Sequence, residues 1–200
     1  MNAPVYIVDD DAGIRDSLAM LLEANGLTAE SFADGYAFLK ACMQRRPGCA
    51  VLDVAMPEMS GYQVQAELNQ RNLPIPVIFL TGHGDVPMAV QAIKAGAMDF
   101  LEKPVTGTAL LKRVRRALAL DAQNRVVEED TLLVRQRYAS MSPREKEVMA
   151  LVVAGLSSKE IARHLGVSAR TVDTHRAHIM LKMQATNVAE LVQSARLCKD

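Results

Sequence analysis

The stretch Cys49-Ala50-Val51-Leu52-Asp53 is an apolar run that stops on a carboxylate. Because the run is apolar throughout rather than alternating, it predicts a parallel strand that is covered on both faces. Two further apolar runs end in a similar way, since Val5–Val8 is followed by Asp9-Asp10 and Val77–Leu80 by Thr81-Gly82. Open α/β sheets bind ligands just beyond the carboxyl ends of their strands. We therefore expect three carboxylates and a hydroxyl to meet at one edge of a parallel sheet.

The composition is that of a globular protein with two unequal regions. The chain has 200 residues, of which 50% are hydrophobic and 23% are charged, and its formal net charge is zero. This length suits one medium domain and one small domain, each with its own core. Residues 1–120 carry 11 Lys and Arg against 13 Asp and Glu, whereas residues 140–200 carry nine against six. The two regions are therefore expected to have different partners.

The cysteines and the apolar runs indicate the cellular compartment of the protein. Cys42, Cys49 and Cys198 form no Cys-x-x-Cys pair, and two of them fall in apolar segments. They are predicted to be reduced, buried thiols of a cytoplasmic protein. No apolar run approaches the length of a membrane span, so the sequence predicts neither export nor a membrane anchor.

Strand and helix signals alternate over the first 120 residues. Five strand patterns, each followed by a helix pattern, predict an α/β fold with a doubly wound, five-stranded parallel sheet. The fourth helix is predicted from Asp85 to Ala95, with Val90 and Ile93 facing inward, and the fifth strand over Met98–Leu101. Residues 1–120 are thus predicted to form the first domain.

Residues 121–139 break this alternation. They mix charges of both signs, contain no Gly or Pro, and carry apolar pairs at Val126-Val127 and Leu132-Leu133. The apolar stripe is too thin for a core, so we interpret the stretch as a partly helical linker. A solvated tether and a dimer-forming helix both remain open.

From Ser140 onward the signals are purely helical. Two capping boxes, Ser142-Pro143-Arg144-Glu145 and Ser157-Ser158-Lys159-Glu160, predict the starts of two helices. A third helix opens at Ser168 and a fourth near Asn187. Only Gly166-Val167 separates the second helix from the third, which is the size of turn found in a helix-turn-helix. Residues 140–200 are predicted to form this second, all-α domain of four helices.

Both regions resemble known families. The first is similar to the receiver domain of two-component response regulators, through Asp9-Asp10, Asp53 with Met56-Pro57 and Gly61, Thr81-Gly82, and Phe100-Leu101-Glu102-Lys103-Pro104. The second resembles the LuxR-type helix-turn-helix, through the two capping boxes, Gly155-Leu156, Ile161-Ala162 and Thr171-Val172-Asp173-Thr174-His175. Together these motifs resemble the NarL/FixJ class, and FixJ-type regulators most. This resemblance implies the flavodoxin-like strand order 2-1-3-4-5.

The acidic cluster predicts a metal-dependent phosphoryl acceptor. A carboxylate can take a phosphoryl group only where its negative charge is neutralised, and three clustered acids need a cation. Mg²⁺ prefers oxygen ligands, so Asp9, Asp10, Asp53 and the carbonyl of Ala55 would suffice. The resemblance implies that Asp53 is phosphorylated by a partner histidine kinase, and that Asp9 binds the metal largely through water.

The resemblance also implies which residues respond to the phosphoryl group. Lys103 and Thr81 would pair with its oxygens, Phe100 would act as a switch, and the Lys103-Pro104 bond is predicted to be cis. A dimer face that forms on phosphorylation would contain Val90, Lys94 and Phe100.

The third helix of the second domain is predicted to lie in the major groove of DNA. Val172, Ile179 and Met183 form its inward stripe, and its outward face mixes small and basic residues. The predicted DNA-binding residues are Lys159, Arg163, Arg170, Thr171, Asp173, Thr174, Arg176 and Lys182. Because Asp173 and Ala177 stand where the NarL branch has basic residues, the target sequence does not follow from the resemblance.

Two other functions are alternatives to a phosphorylation-dependent transcription regulator. A phosphatase or phosphotransferase with an aspartyl-phosphate intermediate wants a second acid near its nucleophile to protonate the leaving group. The haloacid-dehalogenase-like family places an Asp two residues after the nucleophile, where this chain has Ala55. An interaction protein that dimerises without phosphorylation would not need the complete acidic pocket. The sequence therefore favours a binding switch over an enzyme.

Overall fold

The computed structural model describes residues 3–43, 48–82 and 86–198, and they divide into two compact units, Met1–Arg125 and Val126–Asp200. No helix among these residues combines the length and the apolarity that a membrane crossing requires. The first unit contains the strands and the first helices: β1 Val5–Val8, α1 Ala12–Glu23, β2 Ala29–Phe32, α2 Gly35–Cys42, β3 Cys49–Asp53, α3 Gly61–Gln70, β4 Val77–Thr81, α4 Val86–Lys94, β5 Asp99–Glu102 and α5 Gly107–Ala139.

The sheet of the first unit is parallel and five-stranded, with the order β2-β1-β3-β4-β5. This order and the α/β class confirm the prediction. The residues of β1, β3 and β4 are all buried, which explains their continuous apolar runs. Strand order reverses between β1 and β3, so the ends of these two strands flank the crevice where such sheets bind ligands.

Two hydrophobic clusters cover the two faces of this sheet. One is built around Phe38, Leu52 and Phe79, and the other around Leu22, Ile78 and Leu110. Gly61, at the start of α3, has no room for a side chain, because a Cβ there would lie 2.3 Å from the Asp53 carbonyl oxygen. The glycine therefore lets α3 begin directly beside the end of β3.

One detail of α4 differs from the prediction. Val90 and Ile93 were expected to face inward, but their side chains are 45% and 47% exposed, whereas Ala92 is buried. The period-3.6 pattern identified the helix correctly and assigned its faces wrongly, because alanine carries a weaker apolar signal than valine or isoleucine. Strand β5 also begins one residue later than predicted.

Helix α5 runs without a break through the stretch that was interpreted as a linker. It spans 33 residues, and the division between the two compact units falls inside it, at Arg125 and Val126. Residues 121–139 are thus helical throughout rather than in part. The domain boundaries at 120 and 140 stay a prediction.

The second unit is all-α after the end of α5. Its helices are α6 Pro143–Val153, α7 Ser158–Leu165, α8 Ala169–Met183 and α9 Val188–Leu197. Both predicted capping boxes are formed, and Ser168 and Asn187 cap α8 and α9 as predicted. The core contains Val172, Ile179 and Met183 from α8, so the predicted inward stripe of that helix is confirmed.

Candidate functional site

The ammonium group of Lys103 joins the two buried carboxylates at the carboxyl edge of the sheet. Its Nζ lies 2.8 Å from Asp9 Oδ2 and 2.8 Å from Asp53 Oδ1. Asp9 is 3% and Asp53 6% exposed. Two buried negative charges that share a cation are stabilised relative to unpaired ones. The folded chain thus brings together three of the predicted site residues.

Backbone amides fix the other oxygen of each carboxylate. Asp9 Oδ1 accepts a hydrogen bond of 2.9 Å from the amide of Asp11, and Asp53 Oδ2 accepts one of 2.7 Å from the amide of Ala55. Each carboxylate therefore has one oxygen bound to the loop that follows its strand and one oxygen directed at Lys103. The two oxygens directed at Lys103, Asp9 Oδ2 and Asp53 Oδ1, are the ones that a cation or a phosphoryl group would contact.

The ends of β4 and β5 position Thr81 and Lys103. Thr81 is buried at the last position of β4, in register with Glu102, and its carbonyl accepts a hydrogen bond of 2.7 Å from the amide of Lys103. The Lys103-Pro104 bond is cis, as predicted. Asp10 and Ala55 are exposed beside this buried group.

The pKa of Lys103 reflects two opposing causes. Partial burial lowers the pKa of the ammonium group, but its hydrogen bonds to Asp53 and Asp9 outweigh the burial and raise the pKa above the ordinary value. Lys103 is therefore charged at neutral pH. Its positive charge lies between the negatively charged side chains of Asp9 and Asp53.

The sequence did not reveal the part played by Arg15. Its Nη1 donates a hydrogen bond of 2.8 Å to the backbone carbonyl of Asp9. The first turn of α1 is thereby attached to the end of β1, next to the Asp11 side chain that caps the same helix. Because the contact joins the end of a strand to the first turn of a helix, neither the helix period nor the strand period predicts it.

The predicted dimer residues lie on two adjacent elements of the first unit. Val90 and Lys94 are exposed on α4, whereas Phe100 on β5 is half-buried. The Phe100 ring contacts Phe79, with ring centroids 6.3 Å apart. Phe100 is thus already partly packed on the core, whereas Val90 contributes an apolar side chain to the surface.

Most of the predicted DNA-binding residues are exposed on α7 and α8. Lys159, Arg163 and Arg170 form no ion pair with another described residue. The Thr174 hydroxyl donates a hydrogen bond of 3.0 Å to the carbonyl of Arg170, and its oxygen can still accept one. Thr171, Asp173 and Lys182 are exposed as well. Arg176 differs, because it is half-buried and lines an apolar groove between α8 and α9.

Lys182 is the predicted DNA-binding residue whose surroundings differ most from the expectation. Its Nζ lies 2.7 Å from Glu145 Oε2, and Glu145 is only 4% exposed. The same carboxylate closes the capping box of α6 by accepting a hydrogen bond from the amide of Ser142. The bond to Lys182 and then that to Ser142 lower the pKa of Glu145 to about 2. Lys182 thus holds α8 against the start of α6, and its contact with DNA stays a prediction.

Comparisons with known proteins assign both regions of the chain to families. Residues 5–115 match the family described as the response regulator receiver domain, and residues 139–195 match the bacterial regulatory proteins of the luxR family. The chain therefore belongs to the response regulators. It is a two-component response regulator with a receiver domain and a LuxR-type DNA-binding domain, which confirms the resemblance drawn from the sequence.

Several relatives are similar over nearly the whole chain. The transcriptional regulatory protein FixJ of Azorhizobium caulinodans is 45% identical, over 98% of this chain and 93% of FixJ. The response regulator protein TodT of Pseudomonas putida is 41% identical, over 98% of this chain and 86% of TodT. Among solved structures, the response regulator StyR has a TM-score of 0.85 at 39% identity, over 97% of this chain and 98% of StyR. Full-length FixJ from B. japonicum has a TM-score of 0.60 at 41% identity, over 99% and 98% of the two chains.

Proposed function

We propose that this response regulator is a phosphorylation switch in which Asp53 accepts a phosphoryl group from the phosphohistidine of a partner kinase and thereby controls DNA binding. The observation that supports it most is the position of Lys103 Nζ, 2.8 Å from both Asp9 and Asp53. A buried carboxylate at a strand end, beside a cation and a second acid, has the surroundings that an acceptor of a charged group requires.

The proposed transfer exchanges one bond to phosphorus for another. An oxygen of Asp53 forms a bond to phosphorus as the phosphorus–nitrogen bond of the phosphohistidine breaks, and the electron pair of that bond returns to the imidazole. Lys103 neutralises Asp53 before the transfer, and its ammonium can then pair with a phosphoryl oxygen. Thr81, next to Lys103, is the proposed hydroxyl donor to a second phosphoryl oxygen.

The oxygen donors at this site are of the type that Mg²⁺ prefers, although no three acidic side chains among the described residues already surround a common metal position. The carboxylates of Asp9, Asp10 and Asp53 and the carbonyl of Ala55 are hard oxygen ligands of the kind that this ion prefers. Asp10 is exposed, so it can reach a hydrated ion without leaving a buried position. Bound there, the ion would supply positive charge to the incoming phosphoryl group. Asp9 is the residue proposed to bind it mainly through water.

The proposed output is a dimer. Thr81 and Phe100 lie on the neighbouring strands β4 and β5, so a movement of Thr81 towards the phosphoryl group would change the space available to Phe100. Val90 and Lys94 on α4, together with Phe100, are the proposed dimer face. The exposed apolar side chain of Val90 makes this face suitable for burial against a second copy.

The proposed target of the dimer is double-stranded DNA. The exposed face of α8 carries Arg170, Asp173 and Thr174 for the major groove, while Lys159 and Arg163 of α7 are free to contact phosphates. Two such units in one dimer should read an inverted repeat whose half-sites are about one helical turn apart.

The partners of the proposed switch are a histidine kinase, DNA and a second copy of the chain, and its proposed location is the cytoplasm. The proposal makes the chain a binding switch rather than an enzyme. Ala55 supports this, because it stands where the haloacid-dehalogenase-like hydrolases have the acid that protonates the leaving group.

The proposal is tested by measuring the mass and the DNA affinity of the full chain with and without beryllofluoride and Mg²⁺. Light scattering should show a monomer that becomes a dimer when the phosphoryl mimic is present. DNA selected from random sequences with the mimic-bound protein should then bind roughly 10²-fold more tightly than it binds the free protein. The same dimer and the same affinity under both conditions would instead support the interaction protein that needs no phosphorylation.

A further inference from the structure

Helix α8 carries an arginine on its buried stripe. Val172, Ile179 and Met183 form this stripe and are at most 2% exposed. Arg176 follows Val172 by four residues and precedes Ile179 by three, so it lies on the same face of the helix. Its side chain is half-buried. A charged residue therefore stands at a position of α8 where the spacing favours an apolar one.

This position is turned away from the exposed face of α8. Thr174 is exposed, and it precedes Arg176 by two residues. At 100° per residue, the two side chains leave the helix about 160° apart. When Thr174 faces a DNA groove, Arg176 is therefore directed towards α9 and the core of the second unit.

Arg176 lines an apolar groove between α8 and α9, with a volume of about 350 Å³. The deeper wall of the groove is formed by the buried side chains of Val152, Ile179 and Leu191, and the exposed side chain of Val188 lies at its rim. Sites that bind small organic molecules have volumes from about 300 Å³ upward and mostly apolar walls. The groove is thus large enough for a small ligand.

The other polar side chains that line the groove are already bound to Glu190. The Thr186 hydroxyl donates a hydrogen bond of 2.8 Å to Glu190 Oε1, and Asn187 Nδ2 donates one of 3.1 Å to the same oxygen. The Oδ1 atom of Asn187 accepts a bond of 3.0 Å from the amide of Glu190. These three residues therefore satisfy one another, and the Glu190 carboxylate serves this cap.

Arg176, in contrast, forms no hydrogen bond or ion pair with any residue in the described part of the chain. A half-buried charge without a counter-charge costs free energy, which a bound anion would recover. The guanidinium group can donate two parallel hydrogen bonds to one carboxylate. The groove thus combines one unpaired positive charge with apolar walls.

We propose that the groove between α8 and α9 binds a small organic carboxylate with an apolar body. The carboxylate would pair with Arg176, and the body would pack on Val152, Ile179 and Leu191. This site is separate from Asp53 and from the exposed face of α8, so the inference goes beyond the proposed function and does not depend on it.

Methyl NMR of the full chain with octanoate and octanamide as probes tests the site. Octanoate should shift the methyl signals of Val152, Ile179 and Leu191 and bind in the millimolar range, as expected for about ten non-hydrogen atoms. Octanamide has the same shape without the charge, so it should bind about tenfold more weakly.

Two variants assign this preference to one residue. Arg176→Met keeps an apolar stem and removes the charge, so it should bind the two probes equally, and its melting temperature should not fall. Arg196→Met, which changes an exposed arginine on α9, is the matched control and should keep the tenfold preference.

Three outcomes would overturn the inference. If neither probe shifted the three methyl signals, the groove would not be a ligand site. If wild-type protein bound both probes equally, or if Arg176→Met kept the preference, Arg176 would only cover the groove with its stem. If the signals changed on dilution of the protein and not with octanoate, a second copy would occupy the groove. None of these measurements uses a phosphoryl mimic, so each outcome leaves the proposed switch untouched.

Discussion

Lys103 Nζ is as close to Asp53 Oδ1 as it is to Asp9 Oδ2, at 2.8 Å in each case. One ammonium group therefore lies between the two buried carboxylates and offsets one of their two negative charges when no other cation is near. This arrangement gives Lys103 a structural role, which is separate from the signalling role that we propose for it after phosphorylation.

Replacing Lys103 by methionine should separate these two roles. The substitution keeps the aliphatic stem and leaves two buried carboxylates without their cation, which should destabilise the first unit by about 1–3 kcal/mol. Mg²⁺ should restore most of this stability, as seen in thermal melts with and without the ion. Acetyl phosphate should still label the variant, but its DNA binding should not be stimulated. Normal stimulation of DNA binding in Lys103→Met would contradict the signalling role.

Replacing Val90 by aspartate should abolish the dimer that beryllofluoride induces. Because the Val90 side chain is 45% exposed, the change should leave the melting temperature of the monomer nearly unchanged. A carboxylate at position 90 would have to lose its water at the dimer face, which is costly even with Lys94 four residues away. Light scattering of the mimic-bound variant is the measurement, and Met20→Asp on α1, where Met20 is 71% exposed, is the matched control. A Val90→Asp protein that still dimerises would place the dimer face elsewhere.

The Glu145–Lys182 pair should make the stability of the second unit depend on acid pH. The pKa of Glu145 is lowered from 4.5 to about 2 by its bonds to Lys182 and to Ser142. Folding thus favours the charged form, and this contribution to stability is complete above pH 4.5 and is lost as the pH falls towards 2. Glu145→Gln should therefore be less stable than the wild type at pH 7, and the difference should shrink between pH 4.5 and pH 2. Calorimetry across this range would show parallel curves if the pair were unimportant.

The carboxyl-terminal part of α5 should be needed for a stable DNA-binding unit. Val134 and Tyr138 pack against the core of the second unit, and Arg135 Nε donates a hydrogen bond of 3.0 Å to the carbonyl of Leu197 at the end of α9. A fragment of residues 126–200 should therefore be more stable than one of residues 140–200, by about 2 kcal/mol from the lost apolar burial alone. Urea denaturation measures the difference.

Point substitutions in the longer fragment provide the control for this comparison. Tyr138→Ala should reproduce much of the loss, whereas Leu132→Ala should have little effect because Leu132 is 57% exposed. Equal stability of the two fragments would mean that the helix before residue 140 only connects the units.

The sequence predicted the sheet well because its signals were local and continuous. The apolar runs that end at Val8, Asp53 and Thr81 are strands buried on both faces, and such strands have few alternative interpretations. The helix caps at Ser142, Ser157, Ser168 and Asn187 were equally easy to predict. Each of these side chains accepts a hydrogen bond from a backbone amide in the first turn of its own helix.

The contacts that the sequence did not predict join residues that are far apart in the chain. Gln65 and Ala95 are 30 residues apart, and Glu145 and Lys182 are 37 residues apart. No period or spacing encodes such a pair, since it depends on how two helices are packed together. Lys182 is an example, because its place on an outward face predicts DNA binding and gives no sign that its ammonium is bound to a buried carboxylate of another helix.

The length of α5 was missed for a related reason. Residues 121–139 carry a weak apolar stripe, which predicts a poor helix on its own. Val134 and Tyr138 are nevertheless stabilised by packing in the second unit, and Asp121 is buried in the first unit, where it accepts hydrogen bonds from Gly48 and Arg125. Tertiary contacts at both ends thus support a helix that its own sequence supports only weakly.

The identity of the phosphorylated residue tests the central proposal most directly. Wild-type protein and Asp53→Asn should be incubated with labelled acetyl phosphate in the presence and in the absence of Mg²⁺. The asparagine keeps the shape of the side chain and removes the nucleophile, so label should appear on the wild type alone and only with Mg²⁺. Label of equal amount on Asp53→Asn would contradict the assignment of Asp53 as the phosphoryl acceptor.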